Sequence, residues 1–123
     1  MIEVETSTPI ELMKMRAADA RMIVMSFTIS HVGLALVLGL GGAGLEDSGV
    51  QLALATWIVL GSLWCIAFLD DAMQDLMAAS SDITGFAESA MGKRMEKAPI
   101  VVFRIVNVAV TSLIVIAELL AIY

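Results

Sequence analysis

An all-α integral membrane protein with three transmembrane helices is the fold class this sequence predicts, on three observations. Three apolar runs occur, from Met22 to about Leu45, from Val50 to Leu69 and from Ile100 to Ile122. Each is near the ~20 residues that cross ~30 Å of hydrocarbon. The chain is 59% hydrophobic, against ~45–50% in soluble domains, so 123 residues offer no way to bury all three runs in a water-soluble core. The runs are continuous rather than alternating, which excludes a β-barrel. One domain, residues 1–123, is expected.

Residues 1–8 are polar and acidic, with no apolar pattern to fix them. Thr8 in the cap position, Pro9 at the first helical position and Glu11 three residues past the cap then predict a helix start. No glycine or proline follows until Gly33, so one helix is expected to run from Pro9 into the membrane. The basic flank of the first span resembles a secretion signal, yet its presence in the chain points to a mature span rather than a cleaved leader. The span dissolves into Gly41-Gly42-Ala43-Gly44 and Glu46-Asp47-Ser48-Gly49, a tight turn. The second span carries Trp57 and Trp64 on one face and ends at Asp70-Asp71, with helical sequence continuing to about Ala79. Ser80 to Gly85 breaks that helix. A short amphipathic stretch, Phe86 to Lys97, leads to Pro99, which opens the third span.

Lys14, Arg16 and Arg21 lie before the first span, and Lys93, Arg94 and Lys97 between the second and third. The glycine-rich turn has no basic residue. The positive-inside rule therefore puts segments 1–21 and 70–99 in the cytoplasm and the C-terminus outside. A prokaryotic cytoplasmic (inner) membrane is the expected location. A net charge of −6 argues against nucleic acid or anionic headgroups as main partners. Cys65 is the one cysteine, which excludes an intrachain disulfide and suits a small residue at a helix contact.

The third span organises the functional reading. Arg104, Asn107, Thr111 and Glu118 fall within about 60° of one another on a helical wheel. Charged groups cost at least ~2.5–3.5 kcal/mol in the bilayer centre, so this stripe must face protein, water or a ligand. His31, the one histidine, lies at a depth of roughly 13 Å at 1.5 Å per residue, with Asn107 and Thr111 at about 10 and 16 Å. A contact among these three is expected. Glu118, at roughly 27 Å by the same rise, is expected near the outer interface. His31 is the candidate cofactor ligand, for a haem or pigment shared with another subunit; its plainer role is an interhelical hydrogen bond. Met73/Met77 and Met91/Met95 have spacing that suits Cu(I) thioether ligation, but packing explains them as well.

Ser26 and Ser30, with Gly33 nearby, give a small-residue face that another helix can approach. About an outer turn the first two helices are antiparallel. Arg21 is thus expected to meet Asp70 and Asp71, and Arg16, with Lys14, to come level with Asp75. The layout resembles that of the small bacterial diacylglycerol kinases, but Phe68 to Asp75 reads FLDDAMQD, without the Asn and the two Glu residues of that family's motif, so the likeness stops at layout. The expected function is a small non-catalytic accessory subunit of a larger membrane complex, docking through the polar face of the third span. The alternative is a homo-oligomeric channel or carrier in which that stripe lines an ion or proton path. A membrane enzyme working through Asp70, Asp71 and Asp75 comes third. The expected partners are other membrane subunits or copies of the chain, within a lipid bilayer.

Overall fold

The structure, a computed structural model, describes residues 7–123. It is all-helical. Helix α1 spans Ser7–Leu40, α2 Ser48–Ser81, α3 Ala90–Lys97 and α4 Ile100–Ile122. The acidic residues of segment 1–6 lie outside the described part. Helix α1 is already helical at Ser7, the first described residue, so Thr8 and Pro9 sit inside the helix rather than at its cap. It runs unbroken to Leu40, short of the expected Leu45, because a 3₁₀ turn over Gly42–Glu46 closes the hairpin. Glycine is required there: a Cβ on Gly41 would lie 2.6 Å from the Val37 carbonyl oxygen, and Gly42 has φ +56°, a region open to glycine.

Asp47 caps α2, its carboxylate accepting from the amides of Gly49 at 2.8 Å and Val50 at 3.0 Å. At the other end Ser80 and Ser81 donate to the carbonyls of Met77 and Ala78. Such back-bonding competes with helix continuation, and the chain turns away through Gly85 at φ +76°. Ser89 caps α3, accepting from the Gly92 amide at 3.0 Å. Pro99 cannot donate to a preceding turn and marks the start of α4.

Helix α2 is the spine. It packs along most of α1 and along α4, whereas α1 and α4 touch little. Antiparallel α1 and α2 form a hairpin, and α4 closes one of its two seams. The glycine-turn end holds an apolar cluster of Leu34, Ile58 and Ile122, flanked by Leu38, Leu54, Val115 and Leu119. The opposite end of the bundle carries the charges. All three long helices, α1, α2 and α4, are long and apolar enough to cross a membrane, and at most 11% of any span's most apolar window is buried within the chain. Nearly all of the apolar surface therefore points outward, a cost of about 25 cal/mol per Å² in water that a hydrocarbon surround removes.

Candidate functional site

Three helices converge on one imidazole. The His31 ring comes from α1, and its Nδ1 lies 2.8 and 2.7 Å from the two carboxylate oxygens of Glu118 on α4. An ionised carboxylate has lone pairs only, so Nδ1–H is the donor. The other nitrogen, Nε2, lies 3.3 Å from the hydroxyl of Ser62 on α2. That hydroxyl donates to a neutral ring and accepts from an imidazolium. Phe27, one turn before His31, covers the ring at a centroid distance of 4.0 Å. The His31 and Glu118 side chains are 13% and 10% exposed, and Ser62 is buried. Carboxylate on one nitrogen and hydroxyl on the other fixes the ring's orientation and tautomer, as second-shell partners do for a working histidine.

This differs from the contact with Asn107 and Thr111 expected from depth arithmetic. Arg104, not Ile100, lies level with Asp70 at the end of the second apolar run: its guanidinium grips Asp70 with two hydrogen bonds, Nη2 to Oδ2 at 2.9 Å and Nε to Oδ1. About 6 Å of α4 thus lies before that level. Helical side chains also lean toward the N-terminus, so Glu118 reaches back to His31 rather than out to the interface. Nothing in the sequence ranked Ser62 above the other small polar residues of the second span. The register that sets Arg21 level with Asp70 and Asp71 sets His31 level with Leu60 and Gly61, beside Ser62.

Thr111 is buried, and Asn107 is half-buried. Both line a cavity of about 270 Å³ between α1, α2 and α4, together with Thr28 and Cys65. Neither makes a hydrogen bond within the described residues. Asn107 also borders the gap beside Asp70, Gln74 and Arg104. Asn107 thus borders both the gap beside Asp70 and Arg104 and the cavity that Thr111 lines, whereas Glu118 and His31 line neither. Beyond them, the Leu34–Ile58–Ile122 cluster closes the bundle. Past that cluster the Gln51 amide donates to the Ile122 carbonyl at 3.0 Å, tying α2 to the end of α4.

At the charged end, Arg16 meets Asp75 at 2.6 Å, the pairing that the hairpin register predicts, and also approaches Asp19 at 3.3 Å. The expected meeting of Arg21 with Asp70 and Asp71 does not occur. Asp70 is held by Arg104 from α4 and by the Gln74 amide at 2.7 Å, while Arg21 and Asp71 are exposed and without an ion pair among the described residues. Asp70 lies just past the apolar run. The Arg104 guanidinium bonded to it holds its carboxyl below the usual carboxylate range, against the opposing effect of burial.

Ser26 and Ser30 make no side-chain hydrogen bond to another helix among the described residues. They are exposed and line the second seam of the α1–α2 hairpin, the one that α4 leaves open. That seam is a groove of about 1010 Å³, walled by Phe27 and His31 on one side and by Trp57, Gly61 and Trp64 on the other. Met73/Met77 and Met91/Met95 join no such gathering, and among the described residues no three of His, Cys, Asp or Glu converge as a metal site would require. For His31 to serve a haem iron, Nε2 would have to leave Ser62, since Nδ1 is taken by Glu118.

Three helices long and apolar enough to cross a membrane, around a buried polar centre, suggest a helical membrane protein. No family model, curated protein or solved structure matches the chain.

Proposed function

We propose that the protein is a small, non-catalytic subunit of a larger membrane assembly, and that its contribution is a proton path from the cytoplasmic boundary to the middle of the bilayer, ending at His31. The single observation that carries this reading is the buried His31–Glu118 pair. A buried ion pair is a poor way to hold helices together, because apolar residues of similar volume do so equally well or better. Ionisable groups inside a membrane mark proton or ligand pathways far more often than they mark packing. The basic residues at the charged end, Lys14, Arg16, Arg21, Lys93, Arg94 and Lys97, favour the cytoplasm for the path's entrance.

Asn107 and Thr111, with Thr28, are the polar side chains of an otherwise apolar cavity of about 270 Å³, roomy enough for water, which needs about 10–15 Å³ of such volume per molecule and two to four polar partners. Water there would extend the path from Asp70 toward Glu118. Glu118 and His31 then share the proton: Nδ1–H donates to the carboxylate, and Nε2 gains or loses a proton beside Ser62. The apolar cluster beyond makes this a dead end and not a through-channel, which favours the subunit reading over a self-sufficient homo-oligomeric channel. Docking through the polar face of α4 has less support, since Arg104, Thr111 and Glu118 already turn toward α1 and α2. Apolar outer faces remain for partner subunits.

The test is proton exchange at His31 in vesicles, read by solid-state NMR on protein labelled with ¹⁵N-histidine. A double variant Asn107→Leu/Thr111→Val should slow exchange by about tenfold or more, equivalent to a barrier increase of about 1.4 kcal/mol, while leaving the helical content intact. Exchange at the wild-type rate in that variant would overturn the path. A defined homo-oligomer of the purified chain, together with proton conductance across vesicles, would replace it with the channel reading.

A further inference from the structure

We propose that the open groove between α1 and α2 binds the ring of a lipid-soluble quinone, with His31 and Ser30 as its hydrogen-bonding groups. The groove is not merely a lipid-facing surface. Its walls are mostly apolar, yet the hydroxyls of Ser26, Ser30 and Thr56 open onto it without a hydrogen bond in the chain. The exposed edge of His31 opens there too. Ser30 and His31 lie about 14–15 Å above Arg21, well below the level of phospholipid headgroups. Acyl tails at that depth have no polar atom to offer, and unmet polar groups in hydrocarbon are costly. An occupant must therefore dissolve in the membrane and bring its own hydrogen-bonding atoms to mid-depth. Carbonyls on a small ring meet both needs.

Shape supports the same class. Trp57 and Trp64 stand two turns apart on α2, about 10.5 Å along the axis, with Gly61 between them. A Cβ on Gly61 would meet nothing within 4 Å, so the slot between the indoles is open to its floor. At that separation a planar ring packs against one indole rather than between two, Trp64 being already in contact with Phe68, and the groove's opening leaves room for an isoprenoid tail. The chemistry at His31 suits both forms of such a ligand. Once released from the long 3.3 Å contact with Ser62, an imidazolium Nε2–H donates to a quinone carbonyl and a neutral Nε2 accepts from a quinol hydroxyl, with Glu118 holding Nδ1–H in either state. The inference concerns binding alone and does not rest on the proton path, which can fail while the groove still binds.

The chain's two tryptophans both line this groove, so their fluorescence reports the site directly. The intact chain in nanodiscs is titrated with decyl-ubiquinone, with decylbenzene as a carbonyl-free competitor. Quenching is expected to saturate, to resist decylbenzene, and to weaken at least about tenfold in Gly61→Leu, which fills the slot where the backbone leaves space (tenfold is about 1.4 kcal/mol). Ser30→Ala, which removes one hydroxyl without changing the fold, should weaken it several-fold. Quenching that rises linearly and equally in wild type and Gly61→Leu would mean partition into lipid and overturn the proposal. So would displacement by decylbenzene, which would make the groove a cleft for any acyl chain. Tryptophans shielded from quencher in a protein of doubled mass would assign the groove to a second copy instead.

Discussion

Replacing His31 by leucine strands the Glu118 carboxylate inside the bundle, and the size of the penalty separates a working polar centre from an incidental contact. Both carboxylate oxygens point at Nδ1, and the side chain is 10% exposed, so little water is available to replace the imidazole. Removing one partner of a buried pair costs about 3–5 kcal/mol. An ordinary interhelical polar contact in a membrane averages only about 0.6 kcal/mol. Glu118→Leu should be milder, about 1–3 kcal/mol, because it leaves a neutral N–H unpaired rather than a charge. The double variant His31→Leu/Glu118→Leu should fall within about 1 kcal/mol of wild type, giving a coupling of at least about 3 kcal/mol. Reversible unfolding in mixed micelles of increasing SDS fraction, followed by far-UV circular dichroism, measures all four corners of the cycle. A coupling near zero, or a His31→Leu cost below about 1 kcal/mol, would refute the buried pair.

Two further outcomes follow from the ends of the bundle. Gly92→Ala should unseat α3, because the new Cβ would lie 2.0 Å from the Phe86 carbonyl oxygen and 2.8 Å from the Ala87 Cα, both backbone atoms; limited proteolysis between residues 82 and 99 should accelerate, while Gly33→Ala, with nothing within 4 Å, should behave as wild type. Asp70→Asn should lower stability by an amount that is constant above the ordinary aspartate value of about 3.9 and vanishes as the pH falls through the lower value that Arg104 imposes on Asp70; pH-dependent unfolding of the two proteins shows whether the curves converge in acid.

The three long helices were legible in the sequence because hydrocarbon sets one length scale and apolar runs report it directly. The stripe on the third span was equally legible, since helical periodicity alone puts Arg104, Asn107, Thr111 and Glu118 on one face. Its partners were not. Depths counted from the start of each run assume that every run begins at the same level, and the Arg104–Asp70 grip shifts α4 by about a turn. That shift, with the backward lean of a long side chain, exchanges Asn107 and Thr111 for Glu118 at the histidine. Hairpin register was the more reliable ruler, because a tight turn leaves little freedom: it placed Arg16 opposite Asp75. It failed for Arg21 because level is not direction, and Asp70 turns toward α4. The open groove was out of reach, since which seam of a hairpin the third span closes depends on side-chain fit that periodicity does not encode.

The most direct test of the polar centre is the tautomer of its histidine. The chain has one histidine, so ¹⁵N-histidine labelling gives the ring nitrogens of His31 alone, in native-like vesicles and without mutation. The geometry predicts Nδ1 as the permanently protonated nitrogen, hydrogen-bonded to a carboxylate, and a clear change in that signal in Glu118→Gln. A neutral ring protonated at Nε2, with Nδ1 bare and indifferent to Glu118→Gln, would contradict it.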